Sequence, residues 1–175
     1  MPVPALLLSF WCGFANVDNR FYEAFYFGDS EALANELADL VLRGVKRATA
    51  AAAWTFEAQG KPLPKPGDLS IVTNWAGEPL CVIETLSVDI MPFRDVTAAF
   101  AAAEGEGDGS LAFWREAHSA YFTHECARAA RAFSDDMAVA CERFRVVYRP
   151  SVQPLDGCLS ETRLPSGSSA VARKP

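Results

Sequence analysis

The chain has 175 residues, half of them hydrophobic, with 22 acids against 16 Lys and Arg and a net charge of −6. That length fits one domain with a sizeable core, and that charge argues against a broad electrostatic grip on nucleic acid, which rests on clustered Lys and Arg. The five cysteines, at 12, 81, 126, 141 and 158, are odd in number and form no C-x-x-C, so buried free thiols in a reducing, cytoplasmic compartment are expected rather than a disulfide framework or a zinc site.

The opening "MPVPALLLSFWCGFANVD" holds an apolar run with no Lys or Arg before it and no small-x-small cleavage site. It is too short to span a bilayer as a helix. Residues 1–20 therefore read as an N-terminal helix packed on the domain, and no membrane partner is expected. Asp29 or Ser30 can cap a helix in which Leu33, Leu37, Leu40 and Val41 recur at helical spacing. Gly44 fits a helix stop. Arg43, Lys46 and Arg47 then fall near the last carbonyls, which suits cations.

"QGKPLPKPGD" has the prolines and glycines of a loop. "DLSIVTNWAGEPLCVIETLSVDI" reads as a β-hairpin: Leu69, Ile71 and Thr73 alternate, "WAGE" turns, and Leu80 to Ile90 form the second strand. "PFRDVTAAFAAAEG" predicts a short helix, and "SLAFWREAHSAYFTHECARAARAF" a longer one capped by Ser110. "CERFRVVYRP" is a last strand ended by Pro150. Residues 151–175 lack aromatics and are rich in Ser, Pro and Gly, which predicts a disordered or weakly docked tail. The irregular order of helices and strands points to an α+β fold, a small and mostly antiparallel sheet or barrel with flanking helices.

Two constellations could carry chemistry. On a helix or tight turn, Lys46 and Thr49, three apart, face the same way. A lysine shielded from water can act as a base, and a hydroxyl beside it as a nucleophile; equally, Lys46 is a solvated charge at a helix end and Thr49 a cap of the next helix. In "AAAEGEGDGSLAFW", Glu104, Glu106 and Asp108 sit among three glycines, with Glu116 further on. A carboxylate there suits general acid–base work, or the segment is a polar turn between helices.

The remaining candidates are weaker. Calcium-loop spacing is absent. His118 and His124, six apart, do not form a same-face metal pair and read as structural or surface residues. Trp114, Tyr121 and Phe122 read as core, whereas Trp54 and Trp75 are better placed to stack a flat ligand. No phosphate-binding loop, dinucleotide fingerprint or nucleophile elbow is present. No metal and no cofactor is expected.

The segments "YEAFYFGDS", "LADLVLRGVKRAT", "LPKPGD", "PFRDV", "AAAEGEGDGSLAFWREAH", "FSDDM" and "CERFRVVY", in that order from Phe21 to Tyr148, resemble the ASCH domain family and its longer bacterial members. The resemblance implies an ASCH domain over 21–150 with a β-barrel similar to the PUA domain, and a cleft lined by the G-x-K-x-x-T segment. Small bacterial ASCH enzymes hydrolyse N(4)-acetylcytidine with a Lys, a Thr and a Glu. Carried over, these are Lys46, Thr49 and Glu104, with Glu106 the near rival of Glu104. Other long members are linked to cleavage of single-stranded RNA.

Three functions follow from what the resemblance implies for these residues. The favoured one is a hydrolase of acylated pyrimidine nucleosides. A neutral Lys46 would take the Thr49 proton, Glu104 would hold the lysine or shuttle a proton to the departing amine, and backbone N–H groups near Gly44 or Gly105 would steady the oxyanion. Arg43, Gly44, Arg47, Trp54, Trp75 and Glu106 are the candidate substrate contacts. The second is a metal-independent ribonuclease, with Arg43, Arg47, Lys61 and Lys65 guiding the strand. The third is an RNA-binding module without chemistry. The expected partner is a nucleoside or single-stranded RNA, and no protein partner is indicated.

Overall fold

The computed structural model describes residues 20–150, together with Leu7, Phe10, Trp11, Phe14 and the backbone of Ala172–Lys174. The chain enters the sheet through β1 (Phe21–Phe27) and turns at Gly28 into α1 (Glu31–Leu42). Ser30 caps α1 by accepting the Leu33 N–H at 3.4 Å. The buried stripe of α1, Ala34, Leu37, Ala38 and Val41, has the expected helical period. Next come β2 (Ala48–Ala52) and the short α2 (Ala53–Ala58), then the proline-rich loop and the hairpin β3 (Leu69–Thr73) and β4 (Pro79–Pro92).

The single helix expected after "PF" is two pieces. A 3-10 turn covers Phe93–Asp95, and α3 (Ala98–Glu104) begins afresh where the Thr97 hydroxyl accepts the Phe100 N–H at 3.2 Å. Helix α4 (Leu111–Arg128) follows, capped by Ser110, and β5 (Ala138–Tyr148) closes the main run.

One six-stranded sheet runs in the order β2-β5-β4-β3-β1-β6, where β6 is Ala172–Lys174. The pairs β2/β5, β5/β4 and β4/β3 are antiparallel, while β1 runs parallel to both β3 and β6. The sheet curls into a half-barrel, bringing β2 and β6 near each other. The architecture is the expected α+β one, with a mixed sheet in which antiparallel pairs predominate. Three residues of the tail thus add an edge strand. The tail expectation for 151–171, and the helix expectation for most of 1–19, fall outside the described residues.

Strand alternation sorts the side chains. Ala48, Ala50 and Ala52 of β2 join Val139 and Cys141 of β5 in a core shared with Phe100 of α3 and Trp114 and Phe122 of α4. The other face carries Phe25, Phe27, Val72, Cys81, Ile83 and Phe144, sealed by Leu37, Ala38 and Val41 of α1. A third cluster sets Leu7, Phe10 and Trp11 against Ala24, Leu69, Ile71 and Val82. The run "ATAAA" is a strand because its small side chains fit beneath the large rings of α3 and α4; packing overrides alanine's helix preference.

Candidate functional site

Two chain reversals build the site. At the end of α1, Gly44 takes a left-handed conformation, φ +75°, as a helix stop requires. The N–H groups of Val45 and Lys46 both donate to the Leu40 carbonyl, at 2.9 and 3.1 Å. The Arg47 N–H then donates to the Ala103 carbonyl at 2.8 Å, and the Arg47 carbonyl accepts the Phe144 N–H at 3.0 Å. Lys46 is thereby pinned between the end of α1 and the last turn of α3. At the second reversal Gly105, φ +64°, ends α3 immediately after Glu104. A Cβ there would lie 2.9 Å from the Val45 carbonyl oxygen, so only glycine lets the two turns pack this closely.

The Lys46 Nζ donates to Glu104 Oε2 at 2.8 Å and also to Glu106 Oε1. Lys46 and Glu104 are wholly buried; the Glu106 side chain is 12% exposed. The Trp114 Nε1–H donates to the other Glu104 oxygen at 2.8 Å. His118 stacks on Trp114 with 4.2 Å between ring centroids, and its Nε2 lies 3.6 Å from Glu104 Oε1. The Lys46 ammonium also sits 5.0 Å over the Phe27 ring.

Burial by itself would push the Lys46 pKa down. Glu104 and then Glu106 outweigh it, and the value ends above the ordinary 10.5. The expectation of a neutral lysine base is therefore corrected: two carboxylates hold it as an ammonium. For Glu106, burial pushes the carboxyl up, but Lys46 and then His118 pull it further down, leaving it below the usual carboxylate range. Lys46 Nζ is thus held by two carboxyl groups, one from each side of Gly105.

Beside this cradle lies a cavity of about 190 Å³. Leu33 and Leu37 of α1 and Phe113 and Tyr121 of α4 form apolar walls, and Glu106 and His118 are among its polar groups.

The other sequence candidates are placed as follows. Thr49 is buried in β2, in register with Glu142 of β5. Glu142 accepts the Thr85 hydroxyl at 2.7 Å. Because Thr49 belongs to a strand, it and Lys46 do not share a helical face. Thr49 alternates with Ala48, Ala50 and Ala52, toward the opposite side of the sheet. Arg43 and Arg47 are exposed, and Arg43 pairs with Asp39 at 2.8 Å. Lys61 pairs with Glu23 at 2.5 Å and lies over Tyr22, while Lys65 is exposed.

Neither tryptophan singled out for stacking lines the cavity. Trp54 packs on the α4 core under the Arg131 guanidinium, 4.8 Å away, and Trp75 sits in the β3–β4 turn against Tyr26. The residues that do complete the cradle, Trp114 and His118, read as core or structural in the sequence. The overlooked signal is their spacing with Phe122: a histidine in the middle of a buried i, i+4, i+8 stripe needs a polar partner.

Among the described residues no group of three His, Cys, Asp or Glu is placed to hold a metal ion, and no helix is long and apolar enough to cross a membrane. A family model described as the ASCH domain matches residues 23–148. The solved ASCH domain from Lactobacillus crispatus JV V101 is 40% identical, with a TM-score of 0.75 over 83% of this chain and 94% of that one. Protein EF3133 from Enterococcus faecalis V583 is 32% identical, with a TM-score of 0.71 over 83% of this chain and 87% of that one. No curated protein matches the chain.

Proposed function

This chain belongs to the ASCH domain family, a family proposed to bind or act on RNA, and from that premise we propose that it is an amidohydrolase of N(4)-acetylcytidine-like acylated pyrimidine nucleosides. The supporting observation is the buried Lys46 ammonium held between Glu104 and Glu106 at the edge of a small cavity. A lysine kept for phosphate would be left without anionic partners. This one has two, Glu104 and Glu106, which offset its attraction for a phosphodiester. The cavity is also smaller than the roughly 300–1,000 Å³ of drug-sized sites, which suits a single ring rather than a polynucleotide.

In this mechanism Lys46 stays charged and donates to the oxygen on which charge develops as the amide carbonyl is attacked. Glu106 stays ionised at neutral pH and takes the nucleophile's proton. The carbonyl carbon gains an oxygen and loses the exocyclic nitrogen, which collects that proton, giving acetate and cytidine. Attack by a water on Glu106 gives acetate directly; attack by the Thr49 hydroxyl gives cytidine and an acetyl-Thr49 ester, which a water then hydrolyses to acetate, restoring the hydroxyl. Thr49→Val, which removes the hydroxyl, separates the two.

A second reading, an RNA binder or metal-independent ribonuclease, draws on exposed Arg43 and Arg47 flanking the turn that carries Lys46. The test incubates the purified chain with N(4)-acetylcytidine and, separately, with labelled single-stranded RNA in EDTA. Release of cytidine by the native chain, and its loss in folded Lys46→Met and Glu106→Gln variants, is the expected result. Unchanged turnover in both variants, or RNA cleavage without deacetylation, rejects the amidohydrolase.

A further inference from the structure

His118 is 3% exposed and lines the cavity, yet its Nε2 has no hydrogen-bond partner among the described residues. Its other nitrogen decides what Nε2 can do. Nδ1 lies 3.0 Å from the Trp114 carbonyl oxygen. A carbonyl only accepts, so Nδ1 carries the proton, and in the neutral ring Nε2 is left as a bare acceptor. Glu104 Oε1, 3.6 Å away, is a carboxylate oxygen that accepts the Trp114 N–H and has no proton to offer a bare Nε2. Stacking on Trp114 holds the ring in place. Glu106, on the same cavity, is an acceptor too. A buried acceptor without a donor is costly.

We propose that His118 Nε2 and Glu106 together read a donor-bearing edge of the ligand, so that the cavity between α1 and α4 selects an amino- or amide-bearing pyrimidine over one with a carbonyl at that position. His118 is then a specificity-determining binding residue. The inference rests on the cavity being the nucleoside site proposed above, and it concerns recognition rather than turnover. In such a site a ligand carbonyl would face two acceptors, and the mismatch excludes it more strongly than a missing contact would.

The test compares cytidine with uridine, which share a ribose and differ along one edge, an amino group and a bare N3 against a carbonyl and an N3–H, by calorimetric titration of the full chain at neutral pH. Cytidine is expected to bind at least about 10-fold more tightly. His118→Phe, which keeps a ring on Trp114 and removes the acceptor, is expected to bring the ratio to within about threefold. Equal binding of the two nucleosides by the native chain, no binding of either, or full discrimination by His118→Phe overturns the proposal. The N(4)-acetylcytidine assay reports on the hydrolase separately: deacetylation without discrimination removes the role of His118 alone. Discrimination without deacetylation leaves a selective pyrimidine-binding site and removes the hydrolase.

Discussion

Lys46 Nζ and Glu104 Oε2 meet at 2.8 Å with both side chains completely enclosed, although 58 residues separate them in the chain. The contact ties the turn after α1 to the last residue of α3. Such a pair contributes little over a well-packed apolar replacement, yet losing one member strands a charge in the interior.

Lys46→Met is therefore expected to destabilise the chain by about 3–5 kcal/mol, because it leaves Glu104 and Glu106 facing each other uncompensated. Glu104→Gln is milder, about 1–3 kcal/mol. Its amide oxygen can accept from Trp114 or from Lys46 but not from both, so its NH2 opposes one of them, while Glu106 still holds the ammonium. Urea unfolding of the three proteins checks the order; equal losses would show that the ammonium is not the element that holds the two turns together.

The same cradle sets a pH dependence. The folded Glu106 carboxyl lies below its ordinary 4.5, so its contribution is present above that value and is lost as the pH falls through the lowered one. The folded Lys46 lies above its ordinary 10.5, so its contribution is present below that value and is lost as the pH rises through the raised one. The stability difference between the native chain and Glu106→Gln is expected to be flat near neutrality and to shrink in acid. Thermal denaturation of both from neutral to acid pH measures it. A difference that grows in acid contradicts the ionised Glu106 derived from the geometry.

Much of this was legible where local physics and packing agree. Ser30 and Ser110 cap the helices their spacing predicts, and the hairpin falls on the alternating run around Leu69 to Thr73. Lys46 and Glu104 were reachable through their motifs, but the meaning of the Lys46–Thr49 spacing depends on backbone conformation. Three residues span one face of a helix and opposite faces of a strand. The Ala-rich stretch gave no hint of a strand, since only the rings of Phe100 and Trp114 make small side chains necessary there. His118 was read as structural because its partners, Glu104 and the Trp114 carbonyl, come together only after α3 and α4 fold back on each other.

Cys81 and Cys141 are fully buried and far from thiolate chemistry. Burial pushes both thiols up to about 12. Thiolate is the reactive form, so iodoacetamide at mildly alkaline pH is expected to spare both in the folded chain and to label both in denaturant. Peptide mass mapping gives the answer directly. Rapid labelling of either while the chain remains folded would mean that this part of the sheet opens far more readily than its packing indicates.

Gly105 and Gly109 offer a controlled comparison, since both hold positive φ, +64° and +73°, in the same loop. At Gly109 an added Cβ meets open space, so Gly109→Ala costs only the left-handed backbone penalty, about 1 kcal/mol. At Gly105 the Cβ would lie 2.8 Å from Val45 Cγ1 and 2.9 Å from the Val45 carbonyl oxygen, a backbone atom that cannot swing aside. Gly105→Ala is expected to cost about 2–4 kcal/mol. Its consequences are also local to the chemistry, because Gly105 sits between Glu104 and Glu106 and any backbone shift moves both carboxylates off Lys46. Deacetylation of N(4)-acetylcytidine should then fall at least about 10-fold in folded Gly105→Ala and stay near native in Gly109→Ala. Urea melts and initial rates on the two variants together decide the matter: similar stability and similar rates would show that the close approach of the two turns does not set the geometry of the cradle.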